Sequence, residues 1–590
     1  MPGGLLQLVA IGAQNELING NPSMTHFRAV YRRHTNFAME SIRMTFSSSN
    51  LEFSQTTKRT ISCRIDRYAQ MIHDTYLVVT LPDIWSPLSY LGTTNAPPSN
   101  YDPRSNSIGY EFKWIENIGY NLIDSVEITA NGQVLQRLTG EWLKFYSYLT
   151  HDPNKRKIVD EMVGNVPEVN DPANAYDRIN QYPHAITPLN FPGGIPNTKT
   201  PEPSIRSRQL VIPLHFWFCE NPGLALPLVS MQNSDVAINV TFRPLNELYT
   251  VIDVSPLSST YGQRVRSATP DNSIGRFLSP PTLTGTQSNP SLTTFFPDPY
   301  LEGNFIYLTE MEMAQLATAD QTFLVKTVTF VNNPGQYGGN SDIEIPFFNL
   351  VTRLVWSAQR SDKILTNDWD NYTNWDDPHR APFTTTGTAN DVYSSVTNST
   401  QTQTFLYSSG QLQITSVYPR DALTQGQLLL DGKERFSVKP SSYFSLIQMY
   451  KHTTGNAPEI PGVYMYSFAL NNDLYQPSGA INGSMFNKVT LRLTLQQPLP
   501  TAAGVATQQT VCILKSTVFS PNPVIITAAQ LALTNPDGTL LYPPDTIVSV
   551  VRNTNGDNVI FEYTYNLGVY VESINFLRIV SGLANFVFAN

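Results

Sequence analysis

The chain has 590 residues, 41% hydrophobic and 14% charged, with a net charge of −9, 43 prolines, 33 glycines and three cysteines. It is too long for one core and suits two or three. No apolar run approaches the ~18 residues of a membrane span, the acidic balance argues against wrapping nucleic acid, and three dispersed thiols (Cys63, Cys219, Cys512) are no disulfide framework and suit a reducing compartment. Low charge with many Pro, Gly, Asn, Ser and Thr fits an all-β protein with long uncharged loops. It also fits a surface that lies against other protein, since interface cores are depleted in charge.

In chain order, residues 1–25 read as an arm. Leu5, Leu8 and Val9 make an amphipathic turn or two, stopped by Gly12, Gly20 and Pro22. The opening lacks the positive region of a secretory signal, and Pro2 stands where N-myristoylation needs glycine. The β pattern is expected from Phe27. The basic stretch His26–Arg67, which includes Arg32 and Arg33, reads as solvated or paired strand-face charge. Strands are expected over Lys58–Asp66 and Tyr76–Leu81, and loops over Pro82–Asn106, Asp152–Pro203 and Pro244–Pro299. Glu310–Ala319 is a good helix former between halves, giving a first domain over 26–310, a connector over 311–321 and a second domain over 322–590. The second half carries its own long loops, Leu365–Thr404 and Gln496–Asn558.

The middle of the chain repeats itself. Leu122–Ile128, Asn131-Gly132 and then Trp142, Phe145, Tyr146 and Leu149 read as strand, tight turn, strand and short aromatic helix, closed by His151. Leu428–Leu430, Asp431-Gly432, then Tyr443, Leu446, Ile447 and Tyr450, closed by His452, say the same. A second correspondence joins Leu210–Phe242, with Val211, Ile212, Leu214, Phe216 and Phe218 on one strand, to Gly462–Leu495. Two β-sandwiches of one architecture are therefore expected, with Gly132 over Gly432 and Trp142 over Tyr443.

The opening Gly3-Gly4-Leu5-Leu6-Gln7-Leu8-Val9, Gly12-Ala13-Gln14, Asn21-Pro22 and Tyr31-Arg32-Arg33-His34-Thr35-Asn36-Phe37 closely resembles the N-terminus of the major capsid proteins of large icosahedral nucleocytoplasmic DNA viruses. Further blocks resemble that family in order: Leu122–Leu143 with Gly140-Glu141-Trp142, Ile212–Leu228, Gly462–Gly479 and Asn575–Gly582. The resemblance implies two tandem eight-stranded antiparallel jelly rolls with long loops and a few short helices. It also implies a homotrimeric pseudo-hexagonal capsomer tiling an icosahedral virion shell, assembled in the host cytoplasm. Partners would be neighbouring capsomers, minor capsid and penton proteins and, through other proteins, an internal membrane, with no direct nucleic acid. Leu245–Pro299 and Gln496–Asn558 are longer than a compact member needs, and Leu365–Thr404 matches nothing in the family pattern.

No zinc, nucleophile-elbow or phosphate-loop motif occurs, so no catalytic residue, metal or cofactor is expected. His151 and His452 read as helix C-terminal caps. Asp368, Asp370, Asp376 and Asp377 surround Trp369, Tyr372 and Trp375 without the spacing of a calcium loop, and read as a solvated loop. Of four Asn-x-Ser/Thr sequons, Asn371 and Asn398 are the ones expected to be exposed and open to glycosylation, Asn239 and Asn482 falling in or near strand patterns. Leu5, Leu8, Val9, Arg32 and Arg33 are the candidate assembly arm. The alternatives are a lectin-like carbohydrate-binding sandwich, to which the aromatic loop would belong, and a glycosidase, which needs two carboxylates about 5 to 10 Å apart.

Overall fold

The computed structural model describes residues 3–10, 12–48, 50–90, 107–179, 181–186, 202–254, 273–280, 294–336, 338–361, 367–374, 420–455, 460–496 and 564–588, with short pieces between 508 and 561. Strands of the first sandwich are β1 Phe37–Thr45, β2 Arg59–Arg64, β3 Met71–Leu81, β4 Ile123–Ala130, β5 Gln133–Thr139, β6 Arg208–Pro213, β7 Val236–Phe242 and β8 Tyr300–Leu308. One sheet runs β1-β8-β3-β6 and the other β2-β7-β4-β5. The second sandwich has β9 Gln321–Gln336, β10 Gly339–Ile345, β11 Leu350–Arg360, β12 Leu423–Leu430, β13 Lys433–Glu434, β14 Val463–Ser467, β15 Val489–Leu495 and β16 Tyr565–Val580. Its sheets run β9-β16-β11-β14 and β10-β15-β12-β13.

Adding eight to each strand of the first sandwich gives the second, so each half is a jelly roll of the same connectivity. Even the extras agree: a two-residue strand pairs with β3 at Leu226–Pro227 and with β11 at Ile481–Asn482. The expected hairpins are both present. Asn131 and Gly132 have φ of 51° and 79°, Asp431 and Gly432 of 48° and 77°, the paired left-handed conformation of a type I′ turn.

In a jelly roll, successive strands run in opposite directions, so connections leave alternately from the two ends. The long ones after β3, β5 and β7, and after β11 and β15, all share one parity and extend the same end of their sandwich. Parts of them form small sheets, Tyr249–Asp253 against Ser107–Trp114 in the first half and Gln508–Leu514 against Ile547–Asn553 in the second. The segments read as loops thus carry their own strand pairing.

Several expectations are corrected. Residues 22–36 are irregular and β1 starts at Phe37, not Phe27. β6 ends at Pro213, and Trp217–Glu220 is a helical turn with Trp217 and Phe218 buried, so the run through Phe216 and Phe218 is not one strand. Alternation of apolar residues over so short a span does not separate a strand from a buried turn. The helix expected over Glu310–Ala319 is present as α5, Glu310–Thr318, following α1 Gly3–Val9, α2 Ala13–Asn19, α3 Gly140–Thr150 and α4 Pro153–Val163.

If the two type I′ turns are equivalent, Gly132→Ala and Gly432→Ala carry the same penalty. The added methyl meets no atom at either site, which leaves only the left-handed backbone cost of about 1 kcal/mol. Denaturant titration of the two variants is expected to give matching losses of that size.

Candidate assembly site

The two sandwiches share a core. One continuous hydrophobic cluster joins first-half residues to Val325, Val355, Tyr372, Met465, Tyr570 and Leu577 of the second, while a separate cluster around Trp356, Leu428 and Leu491 fills the second sandwich alone. The burial pattern of the central strands explains this arrangement. β8 alternates buried and partly open residues, as a strand with one covered face does. Its counterpart β16 is buried almost without a break from Leu567 to Asn575, because one face meets its own core and the other meets the first sandwich.

What covers β16 is α3. Thr139 caps the helix by accepting from the Trp142 amide at 3.1 Å. Gly140 opens it where a side chain would collide with the Tyr120 and Ile123 carbonyls. The stripe read from sequence then points across the seam. The Trp142 ring lies 5.3 Å from Tyr570, and Phe145 lies 5.8 Å from Tyr570 and 5.4 Å from Tyr372. The Tyr570 hydroxyl donates to Glu141 Oε2 at 2.6 Å and sits 2.9 Å from Thr139 Oγ1. Burial, with the Glu141 carboxylate nearby, raises the Tyr570 phenol well above its ordinary range and keeps it a donor.

Charged groups are locked inside the seam. Arg353, fully buried under Trp142, donates through Nε to Glu572 at 2.7 Å and through Nη1 to Asp473 at 3.2 Å. Burial alone would lower its pKa; the two carboxylates outweigh burial and raise it. Buried Lys144 on α3 pairs with Asp370 and donates to the Tyr372 hydroxyl at 2.9 Å, while Asn117 and Asn121 also donate to Asp370. Lys326 of β9 faces Glu220 at 3.7 Å. At the flank, Arg243 stacks 4.3 Å over the Trp369 ring, whose Nε1 donates to the Glu247 carbonyl at 3.0 Å.

The acid-aromatic loop is therefore a tie between sandwiches rather than a solvated loop, and Trp369 and Tyr372 are packed in the seam instead of presented to a sugar. Asp376, Asp377 and Trp375 lie outside the described residues. Asn371, expected to be exposed for glycosylation, has 0% exposure, and its Nδ2 donates to Asp368 at 3.1 Å while its Oδ1 accepts from the Thr373 hydroxyl at 2.7 Å. A glycan has no room there. Asn398 lies outside the described residues, and Asn482, set aside as strand-like, is exposed. The arm residues Leu5, Leu8, Val9, Arg32 and Arg33 are all exposed and none reaches the seam.

Arg353 and Glu572 were missed by the sequence reading, yet each left a signal: a single charge inside a mostly apolar strand run, Leu350–Trp356 and Val569–Ile574. Such a residue is seldom buried unless paired. His151 is the backbone cap of α3 as expected, but its ring meets Ser147 Oγ at 3.2 Å. Burial, aided by Lys155 and Arg156, pushes it from 6.5 down to about 4. His215, 5.4 Å away, is also held well below its ordinary value, first by burial and then by His151.

Two family models match this chain in succession: the major capsid protein N-terminus over residues 25–273, and the large eukaryotic DNA virus major capsid protein over residues 312–528. The chain belongs to the large eukaryotic DNA virus major capsid protein family. The major capsid protein of Phaeocystis pouchetii virus is 28% identical over 556 residues, covering 86% of this chain and 95% of that one. That of Paramecium bursaria Chlorella virus 1 is 24% identical over 595 residues, the full length of both. The fold is shared with the solved PBCV-1 virus capsid, at a TM-score of 0.55 and 20% identity over 96% of this chain and 100% of that one. It is also shared with the Faustovirus major capsid protein, at a TM-score of 0.54 and 12% identity over 94% and 93%. Members of this capsid protein family are structural proteins and not enzymes.

Two predictions follow from the seam. Arg353→Met strands two buried carboxylates and is expected to cost about 3–5 kcal/mol in denaturant titration. Arg492→Met, which breaks an exposed pair with Asp342 at 2.7 Å, is expected to leave the denaturant midpoint nearly unchanged. For the histidines, the unfolded chain takes up protons near 6.5 while folded His151 refuses them until about 4. Stability therefore falls as pH drops through that window and levels off below it. His151→Gln is expected to flatten the slope of melting temperature against pH there.

Proposed function

We propose that this chain is the major structural protein of an icosahedral virion shell, and that three copies form a pseudo-hexagonal capsomer assembled in the host cytoplasm. The observation that carries this is the strand-for-strand duplication. Three copies of a doubled sandwich supply six similar edges, and six similar edges tile a hexagonal lattice. A joint core supports it as well, because the two sandwiches of one chain then act as a rigid pair of lattice sides. Neighbouring capsomers, minor capsid proteins and penton proteins are the partners of this reading, with contact to an internal membrane made through other proteins. Nucleic acid is not a direct partner in it.

The arm, residues 1–25, belongs to shell assembly in this reading. α1 and α2 are short, and Leu5, Leu8, Leu17 and Ile18 are exposed on them. Helices of this length do not stand on propensity alone and need a surface to lie on. Sedimentation of the full-length protein at micromolar concentration is expected to give a trimer, and a monomer would remove the capsomer reading. Deleting residues 1–25 is expected to leave the trimer intact and to stop particle formation, scored by electron microscopy of expressed shells.

A further inference from the structure

The helix after the second hairpin does not do what its first-half counterpart does. In α3, Phe145 and Leu149 are each 1% exposed. At the matching positions of the second sandwich, Leu446, Ile447 and Tyr450 are 46%, 47% and 88% exposed. This segment is a π-helical turn, Tyr443–Ile447, running into the α-helix α6, Gln448–His452. The wider turn moves the buried line to Phe444, Gln448 and Met449 and turns the expected apolar stripe outward. Leu470 adds to the open patch at 75% exposure, its carbonyl 2.9 Å from His452 Nδ1.

The surface that would cover this patch can be found by the same eight-strand shift. α3 sits on Tyr570, which in β16 lies between Phe330 of β9 and Val355 of β11. Counting from the bulge that both sheets carry at the same place, the first-half equivalent is Glu302 of β8, between Arg43 of β1 and Tyr76 of β3. That outward face is open: Phe37 and Met39 on β1 are exposed, whereas Leu324 on β9, at the place of Phe37, is part-covered. It is also acidic. Burial raises the Tyr76 phenol, and Asp74 and Glu302 raise it further. The helix brings Lys451, and Lys439, from the short strand before it, lies 5.6 Å from the Tyr443 ring.

We propose that a second copy of this chain occupies the patch, with Leu446, Ile447 and Tyr450 of one copy seated on the β1-β8-β3 face of the next, around Glu302. The contact repeats between chains what α3 and Tyr570 do within one. It is head-to-tail, so it closes into a ring when the rotation allows. This rests on the trimer reading and names its contact surface.

The test uses the full-length protein in two arms. In the first, differently tagged Leu446→Cys and Glu302→Cys chains are co-expressed and treated with a short bismaleimide. A cross-linked species carrying both tags is expected, with none when both tagged chains carry Leu446→Cys or both carry Glu302→Cys. In the second arm, Leu446→Asp with Tyr450→Asp sets acid against acid. It is expected to raise the concentration at which trimers dissociate by about tenfold or more, the loss typical of a central interface residue. Circular dichroism is expected to be unchanged, because both side chains are exposed. A wild-type trimer that neither cross-links nor responds to the double substitution would overturn the assigned surface and leave the trimer standing. A wild-type monomer would overturn both. A heteromeric species captured by the patch, with trimers unaffected, would assign it to a different partner and also overturn the proposal.

Discussion

Everything in the seam depends on one buried cation. Arg353 has no exposure, and moving a guanidinium out of water costs several kcal/mol unless partners and geometry restore what hydration gave. Glu572 on the neighbouring strand and Asp473 from the loop after β14 do so, with Trp142 of the first sandwich as the lid. Because the lid comes from the other half, the cation is fully enclosed only when the halves are joined. β16 obeys the same rule, since Tyr570 and Glu572 on its second face find their cover in the seam, Tyr570 against Trp142 of α3 and Glu572 on Arg353. The second sandwich is thus built to be half of something, and its sequence shows it in strands that lack the alternation of a half-open sheet.

Legibility in the sequence follows how local the determining physics is. The Asn131-Gly132 and Asp431-Gly432 turns were readable because left-handed backbone at two successive residues selects those pairs almost regardless of context. α3 was readable because its stripe, cap and flanking glycine agree. The second helix was half readable: its position was right and its buried face wrong, because a π turn changes the repeat that the stripe was counted with. Asn371 and Asp370 were misread because nothing local says that a polar, aromatic loop will be enclosed by Lys144, Asn117 and Asn121 from more than 200 positions away. Pairing at that range is invisible to periodicity.

The same contrast applies to the long insertions. Their placement on one parity of connections follows from topology, and their strand content from β-branched runs such as Thr510–Ile513 and Ile547–Val551. The bare ends of the sandwiches are joined by tight turns such as those after β4 and β12. Each sandwich is therefore polarised, with inserted material concentrated where it does not disturb the sheets that form the joint core.

The register of the outer strands sets an order of events in time. β1 cannot be completed until Tyr300–Leu308 has been made, and β9 must wait for Tyr565–Val580, at the far end of the chain. Non-local pairing of this kind makes folding slow, because a long loop must close before any contact rewards it. Domains fold as units during synthesis, N-terminal first, so the first sandwich is finished while β16 is still untranslated. A nascent chain then carries α3 with nothing to sit on, and its aromatic face is covered only when β16 arrives. Translation itself thus acts as the clock: the period in which this chain is prone to misassociate closes once β16 has been made.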